Sequence, residues 1–142
     1  MGLSRRKARV VAFKVLFQFD QVKAEPQQAL SYLYQEDELT APREQSFAAE
    51  LVYGAIRHLA DIDEAIRRFS REWDLSRMSA VDRNIMRLAA YEILFMQPSE
   101  PVVAIDEAVE IAKRYGDHNS PGFINAILDR ILGEKYGSVP GT

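Results

Sequence analysis

The sequence predicts an all-α fold, a compact arrangement of about seven helices in two packed helical bundles. Three observations predict it. Apolar residues recur at spacings of three and four along nearly the whole chain, the period of a helix with one buried face. Five of the six prolines fall at the boundaries that this period implies, and the sixth lies in the tail. No stretch alternates apolar and polar residues as a half-buried strand does, and no hairpin dipeptide joins two such stretches.

The first helix is expected over Ser4–Gln21, where Ala8, Val11, Ala12, Val15, Leu16 and Phe19 form one stripe. A shorter helix starts at Pro26 and turns Leu30, Leu33 and Tyr34 inward. The polar run QEDELTAP interrupts the period. Pro42 then suits a first helical turn, where its missing N–H costs nothing. Phe47, Ala48, Leu51, Val52, Ala55 and Leu59 make the third stripe. In LADIDEAIRRF the phase changes after Asp61, so Asp61 caps a new helix or the helix bends there. Ser79 followed by Asp82 is a capping box of the S-x-x-D kind. The helix after it, AVDRNIMRLAAYEILFM, is apolar on most faces, as the central helix of a bundle is. Pro98 and Pro101 bracket a turn, and VVAIDEAVEIAKRYG carries a further stripe that closes on Gly116, expected in the left-handed conformation. Ser120 as N-cap and Pro121 at the first helical position open the last helix, with Phe123, Ile124, Ile127, Leu128 and Ile131 inward. The bundles are expected to divide near residue 76. Residues 1–133 are expected to form one domain, and 134–142 a disordered tail.

At 142 residues the chain is long enough to bury one substantial core. It has no cysteine, which excludes disulfides, thiol catalysis and cysteine-ligated metals. No apolar run reaches the length of a transmembrane helix. The start mimics a signal peptide, but Lys14 interrupts its apolar run and no small-residue cleavage site follows. A cytoplasmic location is the default expectation. The net charge of −3 conceals an asymmetry. Residues 1–23 carry six basic side chains and one acidic; the rest carry 12 basic and 20 acidic. A basic arm on an acidic body suggests a polyanionic partner met through one patch.

Catalytic chemistry is not evident. There is no phosphate loop or dinucleotide fingerprint. His58 and His118 lack metal-ligand spacing, so no metal and no cofactor is expected. Asp106, Glu107 and Glu110 favour the positive end of a helix dipole rather than acid–base work. Glu92, inside the apolar central helix, requires a hydrogen-bonding partner. No residue argues for an enzyme.

The basic arm, Arg5, Arg6, Lys7 and Arg9, lies where positive charge opposes the helix dipole. A solvated face explains it only at a folding cost, whereas a phosphate-binding arm explains it directly. Recognition of single-stranded RNA also needs flat and polar groups. GDHNSPGF offers Asn119, Ser120 and Phe123, although helical period alone makes Phe123 a core residue. Tyr115 is equally two-sided.

Four blocks, RRKARVVAFKVLFQFD, LVYGAIRHLADIDEAI, AVDRNIMRLAAYEIL, and PVVAIDEAVEIAKRYG with SPGFINAILDRI, together resemble the NusB family of transcription antitermination factors. The resemblance spans nearly the whole chain. It implies an all-α fold of two helical bundles. It also implies binding to the boxA element of ribosomal-RNA leader transcripts, together with the ribosomal protein NusE, in a complex that joins RNA polymerase. It carries RNA contact onto Arg5, Arg6, Lys7 and Arg9, onto Asp82 and Arg83, and onto Asn119 and Phe123. It further implies that a homodimer can form through the RNA-taking surface. Two other readings stand beside it: an accessory domain like that of ribosomal-RNA cytosine methyltransferases, or a protein-only scaffold. The chain lacks a methyl-donor glycine motif and a catalytic cysteine, which favours the stand-alone factor.

Overall fold

The computed structural model describes residues 2–70, 74–98 and 100–137. Seven α-helices and one 3-10 turn make up the described residues: α1 Gly2–Val22, α2 Pro26–Glu36, α3 Pro42–Arg57, α4 Leu59–Phe69, the turn Leu75–Arg77, α5 Ala80–Phe95, α6 Val102–Tyr115 and α7 Ser120–Tyr136.

Local chemistry sets most of these boundaries. Glu25 caps α2 by accepting from the N–H groups of Gln27 and Gln28, at 3.2 and 3.0 Å. Pro26 and Pro42 occupy the first turns of α2 and α3, as expected. Ser79 Oγ accepts from the Asp82 N–H at 3.0 Å and starts α5. Only this half of the expected box forms, because Asp82 Oδ1 is buried with no hydrogen-bond partner.

The helices sort by packing into two groups. α1, α2 and α3 pack on one another, and α4, α5, α6 and α7 form the second group. The division therefore falls at His58 and not near residue 76. His58 (φ −108°, ψ 23°) breaks the chain direction between α3 and α4, and α4 then packs on α5 and α7. Asp61 lies in the first turn of α4 instead of capping it. α5 touches α1, α3, α4, α6 and α7. Nine of its sixteen residues are buried, so it is the shared centre that its apolar sequence predicts. One continuous buried cluster runs from Ala8 to Leu132 through both groups.

Three further boundaries differ from expectation. Gly116 is extended (φ −92°, ψ −171°), not left-handed. A Cβ there would sit 2.4 Å from Ser120 Oγ, so a close approach, not backbone sign, demands the glycine. Ser120 is the first residue of α7, and Asn119 stands at the N-cap without a side-chain bond. Asp117 replaces it: its Oδ1 accepts from the N–H groups of Asn119 and Ser120, at 2.8 and 3.2 Å, while Ser120 Oγ accepts from the Asp117 N–H at 3.1 Å. Residues 134–136 continue α7 instead of fraying. Glu134 pairs with Arg68, and the Tyr136 hydroxyl donates to the Ile93 carbonyl at 3.1 Å. Residues 138–142 of the expected tail lie outside the described residues.

Candidate nucleic-acid interface

The four cations of the basic arm do not share one fate. Helical geometry turns Arg5, Arg6 and Lys7 to the exposed side of α1 and Arg9 to the buried side, beside Ala8 and Ala12. The Arg5 guanidinium stands 4.5 Å from the centre of the Phe47 ring. Arg6 makes a two-pronged bond to Glu107 on α6, at 2.9 and 2.8 Å. Its side chain remains 48% exposed. That hydrogen bond and the guanidinium charge hold the Glu107 carboxyl below its ordinary range against the opposing effect of burial. Lys7 Nζ donates to the Glu38 carbonyl at 3.2 Å.

Arg9 corrects the expectation of a phosphate contact. It is 5% exposed, and its guanidinium meets the Glu92 carboxylate at 3.0 and 2.6 Å. A buried charge requires such a partner, and the pair satisfies both residues at once. Glu92 is thereby the structural tie its sequence position calls for.

Arg83 is also engaged inside the protein. Its Nε and Nη2 donate to Asp20 Oδ2 at 2.9 and 2.7 Å, and its Nη1 donates to the carbonyls of Leu75 and Met78. Its side chain is 11% exposed. Asn84 donates to the same Asp20 oxygen at 2.8 Å, and Arg87 bonds Asp63 on α4. Burial raises the Asp20 carboxyl. The bonds from Asn84 and Arg83 and the charges of Arg83 and Arg87 outweigh it, so Asp20 lies below its ordinary range. Arg83, onto which the resemblance carries RNA contact, thus fixes the entry into α5 against the end of α1. Asp82, beside it, is half-buried.

Asn119 is exposed at the turn before α7. Phe123 is half-buried and packs against the core cluster, so part of its ring area serves the fold.

Packing brings together side chains that the sequence holds far apart. Between α1 and the end of α6 lies a cleft of about 350 Å³, lined by Arg6, Lys7, Val10, Lys14, Asp37, Arg114 and Tyr115. Next to it is a smaller, mostly apolar hollow of about 210 Å³, lined by Phe13, Lys14, Phe17, Gln18, Val81 and Tyr115. Lys14 and Tyr115 belong to both. The Tyr115 ring has Arg114 Cζ 5.1 Å and Lys14 Nζ 6.0 Å from its centre. The exposed cations of α1 and Val81, one residue before Asp82, are thus linked along one face. Sequence reasoning passed over Lys14, Arg114 and Phe17. The one available signal was the KRY run ending α6, which the helix dipole alone accounts for.

Among the described residues no three His, Cys, Asp or Glu side chains are grouped to hold a metal ion. His58 instead stacks on Phe95, with ring centres 4.0 Å apart. No described helix is long and apolar enough to cross a membrane.

Comparison with known proteins accords with this architecture. The NusB family model matches residues 6–133. The transcription antitermination protein NusB of Syntrophomonas wolfei is 58% identical over 135 residues, which is 95% of this chain and all of that protein. A solved structure of T. maritima NusB superposes with a TM-score of 0.84 at 43% identity, covering 92% of this chain and 91% of that one. A crystal structure of the antitermination factors NusB and NusE in complex with dsRNA superposes with a TM-score of 0.87 at 28% identity, covering 94% and 99%. The chain belongs to the NusB family of transcription antitermination proteins.

Proposed function

We propose that this chain is a non-catalytic RNA-binding adaptor of the cytoplasm. It binds the boxA element of ribosomal-RNA leader transcripts together with NusE, and the complex joins the elongating RNA polymerase. The observation that carries this reading is the exposed cationic face of α1, set beside Tyr115 and the entry of α5. Arg5, Arg6 and Lys7 supply positive charge to phosphates, while Asp82, Asn119 and Phe123 offer hydrogen bonds and a ring to bases. Phosphate contacts position a strand and base contacts specify it. Arg9 and Arg83 stand outside this set, because their side chains are only 6% and 11% exposed against Glu92 and Asp20, whereas Arg6 keeps 48% exposure. The superposable NusB–NusE–dsRNA structure supports a joint role for RNA and NusE.

Titration of labelled boxA RNA, with and without NusE, tests the proposal. Binding is expected to tighten with NusE and to weaken steeply with salt, since each neutralised phosphate releases counterions. No binding at low salt even with NusE present would overturn it.

A further inference from the structure

We infer that the cleft between α1 and the end of α6 is a second phosphate-binding stretch of the RNA path, with Lys14 and Arg114 as its contacts and Asp37 as an internal competitor. The inference rests on the RNA-binding reading above and extends it to residues that reading does not use.

The cleft carries four cationic side chains, Arg6, Lys7, Lys14 and Arg114, against one lining carboxylate, Asp37. Arg114 is exposed and stands over the Tyr115 ring. An Arg at the last turn of a helix would be explained by the dipole if nothing faced it. Here it faces three cations across a concave wall, an arrangement that costs energy in the free protein through mutual repulsion. The repulsion is relieved only in part. Glu107 takes Arg6, Glu110 adds a weaker attraction to Arg6 from the adjoining surface, and Asp37 Oδ2 lies 2.7 Å from Lys14 Nζ, which among the described residues leaves Lys7 and Arg114 without a carboxylate bond of their own. A bound phosphodiester would supply the missing negative charge.

The neighbouring hollow decides the class of partner. An acidic protein segment needs the cations but has no use for an apolar slot lined by Phe13, Phe17 and Tyr115 next to them. A single nucleic-acid strand presents charge on one edge and flat apolar bases on the other, and such strands are bound by cationic grooves flanked by aromatic rings. The shared position of Lys14 and Tyr115 in both spaces puts the two chemistries within one step along a strand.

Asp37 occupies Lys14 until RNA arrives. It therefore weakens every RNA alike. This gives the inference an outcome that misfolding does not imitate, because removing the competitor should raise affinity.

The experiment is a fluorescence-anisotropy titration of labelled boxA RNA and a scrambled RNA of equal length, over a salt series, with thermal melts as folding controls. Lys14→Gln and Arg114→Gln are each expected to weaken both RNAs severalfold. Each should reduce the slope of log affinity against log salt by about 0.7, the value for one lost contact on a single strand. Asp37→Asn is expected to strengthen both severalfold without reducing the slope. Wild-type affinity and slope in both Lys14→Gln and Arg114→Gln would overturn the cleft while leaving the RNA-binding reading intact. An Asp37→Asn variant that binds no more tightly would overturn the competition. A loss confined to NusE binding would reassign the cleft to a protein partner. Failure of the wild-type chain to bind any RNA would instead refute the reading beneath.

Discussion

Removing one member of the Arg9–Glu92 pair should be among the most damaging single changes in this protein. Both side chains are 6% exposed, and the two bonds between them, at 3.0 and 2.6 Å, tie α1 to the far end of α5. Glu92→Leu leaves a buried guanidinium without its hydrogen-bonded carboxylate, with only the weaker attraction of Glu107 remaining, and Arg9→Met leaves a buried carboxylate without its guanidinium partner. Either change is expected to cost about 3–5 kcal/mol. Unfolding entropy is about 2.1 cal/mol/K per residue, so a 142-residue chain gains about 0.3 kcal/mol/K. Each single variant should then melt about 10–17 °C below wild type. The double variant Arg9→Met/Glu92→Leu should recover most of this loss, because a buried ion pair and an apolar pair of similar volume are often close in stability. Urea and thermal unfolding followed by circular dichroism measure both effects. Single variants that cost less than about 1 kcal/mol, the range of exposed pairs, would refute the buried-pair account. So would a double variant no better than the worse single. The double variant also separates structure from RNA contact. It should keep the wild-type salt slope, whereas Arg5→Gln should lower it. An equal drop in both would return Arg9 to the RNA face.

Three other outcomes follow from local geometry. Gly54→Ala places a Cβ 2.0 Å from Tyr91 Cζ, and Tyr91 is buried, so overpacking should cost about 1–3 kcal/mol in a melt. Phe123→Ala should lower RNA affinity by about 1–3 kcal/mol if the ring stacks on a base; a folded variant with wild-type affinity would make Phe123 a core residue only. The carboxyls of Asp20 and Glu107 lie below their ordinary ranges in the folded chain, so the unfolded chain binds more protons. Their stabilisation is complete above about pH 5–6, clear of the unfolded carboxyl range, and is lost as pH falls through the depressed folded values. The urea midpoints of Asp20→Asn and Glu107→Gln should therefore approach that of wild type on acidification; a constant gap would refute the assignment.

The helices were legible because burial imposes a period that a sequence displays directly. The stripe from Ala8 to Phe19, the prolines at 26 and 42, and Ser79 before α5 each carry their signal within a few residues. Where a residue has two physical reasons to exist, the local signal misleads. Gly116 fits a left-handed cap by position, yet it is there to let Ser120 approach. The break at His58 has no glycine or proline to announce it. The candidate interface was legible as charge but not as direction. Arg9 and Arg83 find their carboxylates 83 and 63 residues away, and Arg6 finds Glu107 at a separation of 101. No local pattern reveals such partners. The α1–α6 cleft was hidden for the same reason, since its two walls meet only after both helix groups have packed.

The ties between α1 and α5 work as a keyed connector. Near its start α1 offers a cation, Arg9, and near its end an anion, Asp20. α5 repeats that order along its own sequence, the cation Arg83 first and the anion Glu92 last. Only antiparallel docking in one register matches every plug to its socket. Reversing one helix would press Arg9 against Arg83 and Asp20 against Glu92, and sliding it by a turn would part Arg9 from Glu92. The two helices that share the centre of the fold therefore carry their own instruction for orientation, written in charge and independent of the apolar stripe that brings them together.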